Sequence, residues 1–497
     1  MGDYARCPLR PHRLALHSGS RRTPGTRVTL IMTNRLIPAA WRAESRAMLL
    51  LAAPVALGQL LQMGMNLTDM LVIGRLGKEA LAAAALAQGL WVFFWFFGMG
   101  LATVTAPLLA QAQGEGDTAG QARVLRQGLV LNLLIGLGIV AILGWSELLL
   151  LWLGQAPDLA REAGHYLQAL RWAIPPLLLM TVCRNLFVTY QKANLSLGFT
   201  SGAFVLNAGL DIVLVFGGQV IGLSAIPAFG LIGAGIATAV GCWLMVAAML
   251  IYIVTKAPFR AVWAQGGRWW PDAALWRKML VLGLPISVTM VMEVGLFAIA
   301  GMLMGWLGTD PLAAHQIAIL IASVTFMVPW GISQAATVRI AAAVGRGDAE
   351  AAAQAGWVAQ AMGLVFMGAM ALVLWLMPHP FVRQFLDAEA AANVAVLDLA
   401  VTYLAIAALF QLFDGMQVIG VASLRGLSDT KVPMFFAIFG YWGVGLTTSY
   451  LLGFVAHWKG VGVWIGLATG LAVVAFLMVW RFRALTAGRG RAIPQPI

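Results

Sequence analysis

Shifted along itself by 231 positions, the chain aligns with itself without a gap from Leu51 to Asp117. Pro54 falls on Pro285, Leu76-Gly77 on Leu307-Gly308, and Leu81-Ala82-Ala83 on Leu312-Ala313-Ala314. Gly114-x-Gly116-Asp117 then falls on Gly345-x-Gly347-Asp348. Chance matches in a chain rich in Ala, Leu and Gly do not put proline and turn residues in register over such a stretch. The chain holds two copies of one apolar unit. Repeats of that kind inside a membrane protein are the plan of a transporter.

Composition decides the solvent. Hydrophobic residues make up 61% of the 497 positions and charged residues 10%, where soluble domains carry about 25% charge. The chain reads as a polytopic helical membrane protein embedded in a lipid bilayer. Its net charge of +12 does not point to nucleic acid, because Lys and Arg sit in short loops and tails. Cys7, Cys183 and Cys242 have no metal-ligand spacing, and two of them fall in apolar runs, so no disulfide is expected.

Apolar runs of spanning length fall near 47–73, 84–112, 123–151, 163–190, 197–217 and 231–255. A second set falls near 276–306, 312–342, 355–377, 393–423, 432–454 and 461–480. About 20 residues suffice to cross a bilayer. The expected fold is all-α, with 12 transmembrane helices in two parallel six-helix repeats; an even number per repeat makes both copies enter in the same direction. The expected division is a basic, disordered cytoplasmic tail (1–46), an N-lobe (47–255), a cytoplasmic linker (256–275), a C-lobe (276–483) and a second tail (484–497). Met32 precedes a more ordinary start, which leaves open whether residues 1–31 belong to the native protein. With the N-terminus inside, 25 of the 32 Lys and Arg lie on the inner side, five on the outer side, and two, Arg171 and Arg184, within helix four. That bias places both termini in the cytoplasm; the expected location is the inner (plasma) membrane.

An ionised carboxylate in hydrocarbon is expensive, so an intramembrane acid is a functional candidate by default. Four lie deep in predicted helices: Asp69, Asp211, Glu293 and Asp414. Asn66 precedes Asp69 by three residues, Asn207 precedes Asp211 by one turn, and Gln411 precedes Asp414 by three. Intramembrane cations to pair with them are nearly absent. Carboxylates that bind and release a proton or a metal cation account for this pattern better than structural ion pairs. At the repeat offset Glu293 falls on Gln62 and Asp69 on Ala300, so the two copies have specialised. The Gly-x-Gly-Asp segments read as helix caps. No G-x-x-x-x-G-K-[ST] occurs, so ATP does not drive the chain directly. The six His are scattered without a D-D-x-x-D or H-x-x-x-x-D pattern, which argues against a membrane-embedded enzyme.

Four segments carry a family resemblance: N-L-T-D-M (66–70), E-V-x-L-F (293–297), L-A-A-H-Q (312–316) and D-G-M-Q-V-I-G-V-A-S-L-R-G (414–426). Together, in this order, they resemble the multidrug and toxic compound extrusion (MATE) transporters, NorM-like branch, over roughly residues 42–483. The resemblance implies a V of two lobes that opens alternately to either side. It implies export of small cationic, amphipathic drugs or metabolites in exchange for Na+ or H+, by a single chain with no cofactor. By position, Glu293 and Asp414 match the C-lobe cation-binding acids, with Na+ a candidate there. Asp69 matches a shared helix-one acid, and Asn207, Asp211 and Thr238 match an N-lobe polar cluster of the DinF-type branch. Phe410 stands one turn before Asp414 where the NorM-type pattern usually has Tyr, removing a possible hydroxyl ligand; sodium and proton both stay open. The alternative reading is a lipid or lipid-linked oligosaccharide flippase of related fold, which would need a basic cavity that only Arg171 and Arg184 could supply.

Overall fold

A computed structural model of the chain describes residues 39–222, 226–265, 269–385 and 393–487. Most of the expected N-terminal tail, three linker residues and most of the C-terminal tail lie outside them. Among the described residues twelve helices are long and apolar enough to cross a membrane. They are α1 (Ala39–Gly74), α2 (Lys78–Gly114), α3 (Thr118–Leu143), α4 (Pro157–Thr189), α5 (Ala193–Phe216) and α6 (Gly230–Thr255). The second set is α7 (Ala273–Leu307), α8 (Thr309–Gly345), α9 (Ala349–Leu376), α10 (Val394–Gly426), α11 (Lys431–Val455) and α12 (Lys459–Thr486). Each apolar run of the sequence thus corresponds to one helix, and the described residues contain no strand.

Within the described residues helix α1 runs from Ala39, eight residues ahead of the apolar run at 47–73. The added turns are held from both sides. Ser45 Oγ donates to the Trp41 carbonyl at 2.8 Å, and Glu44 is ion-paired with Arg339 of α8. The Glu44–Arg339 pair ties this otherwise basic segment to the second half of the chain.

The repeat is visible in local geometry. Asp117 and Asp348 each cap the following helix, accepting from Gly120 N at 2.8 Å and from Ala351 N at 2.9 Å. Gly116 and Gly347, just before them, both stand at φ +73, the left-handed conformation that glycine adopts freely. Each capped segment ends one helix and starts the next within a few residues, fixing the α2–α3 and α8–α9 hairpins alike.

The halves meet along α1, α2, α7 and α8: α1 packs on α8, and α2 packs on both α7 and α8. The closest approaches are reciprocal. Gly100 of α2 lies against the backbone of Ser287 of α7, while Gly331 of α8 lies against Ala56 of α1; both members of the second pair are the first shifted by 231. Gly114 likewise abuts the Ala342 carbonyl, and Gly345 abuts that of Gln111. Small residues let helix backbones touch in this way. Ser287 Oγ adds a hydrogen bond to the Phe97 carbonyl at 2.6 Å. The Gly100 and Gly331 contacts lie near the middle of their helices, while the Gly114 and Gly345 contacts lie at the helix ends on the side of the chain termini and close the seam there.

The described part of the linker is tied down. Its short helix (Phe259–Ala264) buries Phe259 among the rings of Phe187 and Tyr190, with centroids at 5.1 and 5.4 Å. Arg126 of α3 donates to the Trp263 carbonyl and lies over the Trp263 and Trp269 rings at 5.7 and 5.6 Å. Asp272 caps α7 through Leu275 N at 3.2 Å and pairs with Arg123 of α3. The Leu275 N–H, and next the Arg123 guanidinium, hold the Asp272 carboxyl below its ordinary value. A depressed carboxylate stabilises the fold above the unfolded-chain pKa, and that contribution disappears as pH falls through the lower folded-state value. Asp272→Ala is therefore expected to lower the apparent unfolding temperature in detergent at pH 7, the lost cap alone costing about 1 kcal/mol. Asp272→Asn should fall between the two. The gap between wild type and Asp272→Ala should narrow below about pH 4; a gap independent of pH would show that the charge contributes nothing.

Candidate functional site

Between the halves lies a cavity of about 580 Å³, within the range that holds a drug-sized molecule. Both halves line it. The first half contributes Asn66 of α1, Trp91 and Trp95 of α2 and Arg184 of α4; the second contributes Glu293 of α7 and Asp414 of α10. Trp91 and Trp95, one turn apart, stack at 5.8 Å and present a flat aromatic wall. The run Trp91 to Phe97 thus divides between cavity and other surroundings, as consecutive helical residues must. Gln62, the repeat counterpart of Glu293, also lines the cavity. The two copies offer the same position, as an amide on one side and an acid on the other.

Glu293 and Asp414 act on each other electrostatically across the α7–α10 junction. Gln417, one turn after Asp414, lies within reach of Glu293 and donates through Nε2 to the Tyr441 hydroxyl at 2.5 Å. Arg425, a buried residue near the end of α10, adds a positive charge in range of Glu293. Gln411 accepts from Thr325 Oγ1 of α8 at 2.7 Å, which fixes its amide behind Asp414. Phe410 is buried edge-on between the Phe297 ring at 6.1 Å and the Trp464 ring at 5.7 Å.

Tyr441 reaches this group because α11 is not a plain α-helix. Residues Ile438–Leu446 form a π-helical stretch, and the wider turn changes which side chains face inward. Tyr441 then points at Gln417, and Trp442 Nε1 donates to the carbonyl of Met292, the neighbour of Glu293, at 3.1 Å. A tyrosine hydroxyl therefore stands near the two acids, though not from the position where Phe410 removed one.

A second acidic cluster is separate from the cavity wall. Asp69 of α1 and Asp211 of α5 are buried, with their carboxyls within hydrogen-bonding range of each other, and Asn207 is buried one turn from Asp211. Tyr166 of α4 is buried alongside, with Gln88 of α2 next to its hydroxyl. Among the described residues no donor reaches either Asp211 oxygen or Asp69 Oδ1, and the Asn207 amide is also unpartnered. Two bare carboxylates in contact repel strongly in a low dielectric; a proton or a cation between them removes that cost.

The structure thus divides the sequence candidates. Glu293, Asp414, Gln411 and Phe410 come together in the second half; Asp69, Asn207 and Asp211 come together in the first. Asn66, three residues before Asp69, opens onto the cavity instead. The Thr238 hydroxyl is occupied within its own helix, donating to the Ala234 carbonyl at 3.0 Å. His315 is buried against the Trp464 ring at 5.4 Å. Tyr166, Gln417 and Tyr441 were not among the sequence candidates. Gln417 carried a usable signal, since it follows Asp414 by three in the D-G-M-Q segment; the other two carried none.

The MatE family model matches residues 54–213 and 285–451, two matches that begin on the repeat-equivalent prolines. A probable multidrug resistance protein NorM of Mesorhizobium japonicum is 42% identical over 444 residues, 89% of this chain and 94% of that one. One of Rhodopseudomonas palustris is 42% identical over 460 residues, 92% and 96% of the two chains. Among solved structures, a MATE in the bent conformation superimposes with a TM-score of 0.80 at 19% identity, covering 92% of this chain and all of that one. An outward-facing multidrug resistance MATE family transporter of the MOP superfamily gives 0.78 at 20% identity, over 91% and 97%. At such identities the structures speak for the fold.

Proposed function

The chain belongs to the MatE family, and from that premise we propose that it is a secondary antiporter exporting organic cations across the inner membrane in exchange for Na+ or H+. The observation that carries the reading is one cavity of about 580 Å³ with two acids, Glu293 and Asp414, and two stacked tryptophans in its walls. Aromatic faces and carboxylates together attract flat, positively charged molecules. The NorM relatives are named for multidrug resistance, which supports efflux of several such compounds.

The count of basic residues puts the termini, and with them the sealed face, in the cytoplasm. In this reading the Gly114 and Gly345 contacts close the seam toward the cytoplasm. An ion arriving from outside binds at Glu293 and Asp414, or between Asp69 and Asp211, and competes with bound drug for the same negative charge. The halves, 47–255 and 276–483, then rock about the α1–α8 and α2–α7 seam. A swing from one orientation to the other needs about 5 kcal/mol of differential binding. Exchanging one cation for another at paired buried carboxylates is a source of that size. The ion is co-substrate here, and a single chain completes the cavity.

Ethidium efflux from preloaded cells lacking their main pumps tests the reading. Efflux should exceed the empty-vector control and collapse when the driving gradient is dissipated. Loss on removing external sodium assigns Na+. Loss only with a protonophore, in sodium-free medium, assigns H+. Efflux that survives removal of both gradients would overturn antiport.

A further inference from the structure

Arg184, five residues before the end of α4 at Thr189, opens half-buried onto the same cavity as Glu293 and Asp414, but from the first half of the chain. Its described hydrogen bond is a long one to the neutral Thr181 Oγ1, at 3.4 Å. The titratable groups that act on it are Cys183 and Cys242. Among the described residues no carboxylate is paired with it. Other arginines are treated differently: Arg339 has Glu44, Arg123 has Asp272, and Arg481 has Asp429 at 2.9 Å. Arg171, also in α4, turns away from the cavity, donates to the Val140 carbonyl at 3.3 Å and lies over the Trp172 ring.

An arginine at membrane depth without a counter-charge is costly, and a bound anion offsets that cost. The guanidinium presents a planar fork that matches a carboxylate. The cavity thus has a positive wall at Arg184 and a negative wall at Glu293 and Asp414, with aromatic rings between. We propose that Arg184 is the residue of the cavity that binds a carboxylate on a transported molecule, and so sets how the cavity ranks an acid against its ester. This rests on the efflux reading and adds a second anchor to it.

The test is a matched dye pair, a rhodamine with a free carboxyl group and its methyl ester, which differ in the carboxylate and share the cationic ring system. Efflux of each is measured for wild type, Arg184→Gln and Arg184→Lys at matched membrane levels. The readout is the ratio of acid to ester transport, which partial misfolding does not move. The expected result is transport of both dyes by wild type, a ratio lowered about tenfold or more in Arg184→Gln, and partial recovery in Arg184→Lys. A ratio within about threefold of wild type in Arg184→Gln would overturn the proposal, as would wild-type protein that moves the ester alone. Wild-type protein that moves neither dye would overturn the efflux reading and this inference with it.

Discussion

Glu293→Gln protein is expected to reach the membrane in wild-type amounts and to lose gradient-driven ethidium efflux about tenfold or more. The amide keeps the volume of the side chain and its contact with Gln417, so packing around α7 stays intact. It removes the one property exchange requires, a negative charge that a cation can cover and uncover. With Glu293 neutral, the drug and the coupling ion no longer compete at this position, and neither orientation of the halves is favoured by ion binding. Asp414→Asn should behave alike, because the two acids act on each other across the same junction. The double amide should be little worse than either single one, as expected of residues that work as a unit. Binding of ethidium to purified protein should weaken less than efflux, since the tryptophan wall remains. Wild-type efflux by both single amides would remove the second-half acids from the mechanism and leave Asp69 and Asp211 to carry it.

Leucine at Gly100 or at Gly331 is expected to abolish efflux for a different reason. A side chain at Gly100 runs into the backbone of Ser287, and one at Gly331 meets the Ala52 carbonyl at 2.6 Å and the Ala56 Cβ at 2.9 Å. Overpacking of this kind costs about 1–3 kcal/mol per site, close to what separates the two orientations, so the sealed state becomes rare. A cysteine at the cavity residue Gln334 should then react faster with a membrane-impermeant maleimide applied from the side of the termini. The two sites differ in how they can be rescued. Ala56→Gly should restore part of the efflux of Gly331→Ala, because one obstacle there is a side chain. No trimming of Ser287 should restore Gly100→Ala, because the Ser287 Cα and N stand in the way as well as its Oγ. Unchanged labelling and full efflux in the leucine variants would show that this seam does not open in the transport cycle.

Much of this was legible in advance, and the part that was not follows a pattern. Hydrophobic length gives twelve helices directly, because a bilayer accepts little else. Periodicity within one helix pairs Asn207 with Asp211 and Gln411 with Asp414. It does not say which helix lies opposite. That Asp69 joins Asp211, while Asn66 faces the cavity, depends on how α1 is rotated between α5 and α8. Tyr441 was hidden by the π-helical stretch, where the 3.6-residue period that sequence reading assumes does not apply. Arg184 was visible as a residue, but its lack of a counter-charge is a fact about distance. That Glu44, in the basic segment ahead of the first apolar run, pairs with Arg339 in the other half of the chain is likewise a fact about distance.

The reciprocal glycine contacts carry one more consequence. A contact between i and j that recurs as j and i is the signature of an isologous interface, the kind two identical subunits make about a two-fold axis. The seam keeps that geometry although both sides belong to one polypeptide. Two identical subunits would be bound to change in step, since any substitution would appear on both walls at once. Joined through residues 256–272, the sides are free to differ. Gln62 opposite Glu293 records that freedom: a symmetric gate encloses an asymmetric chamber, whose walls can hold one molecule by its two unlike ends.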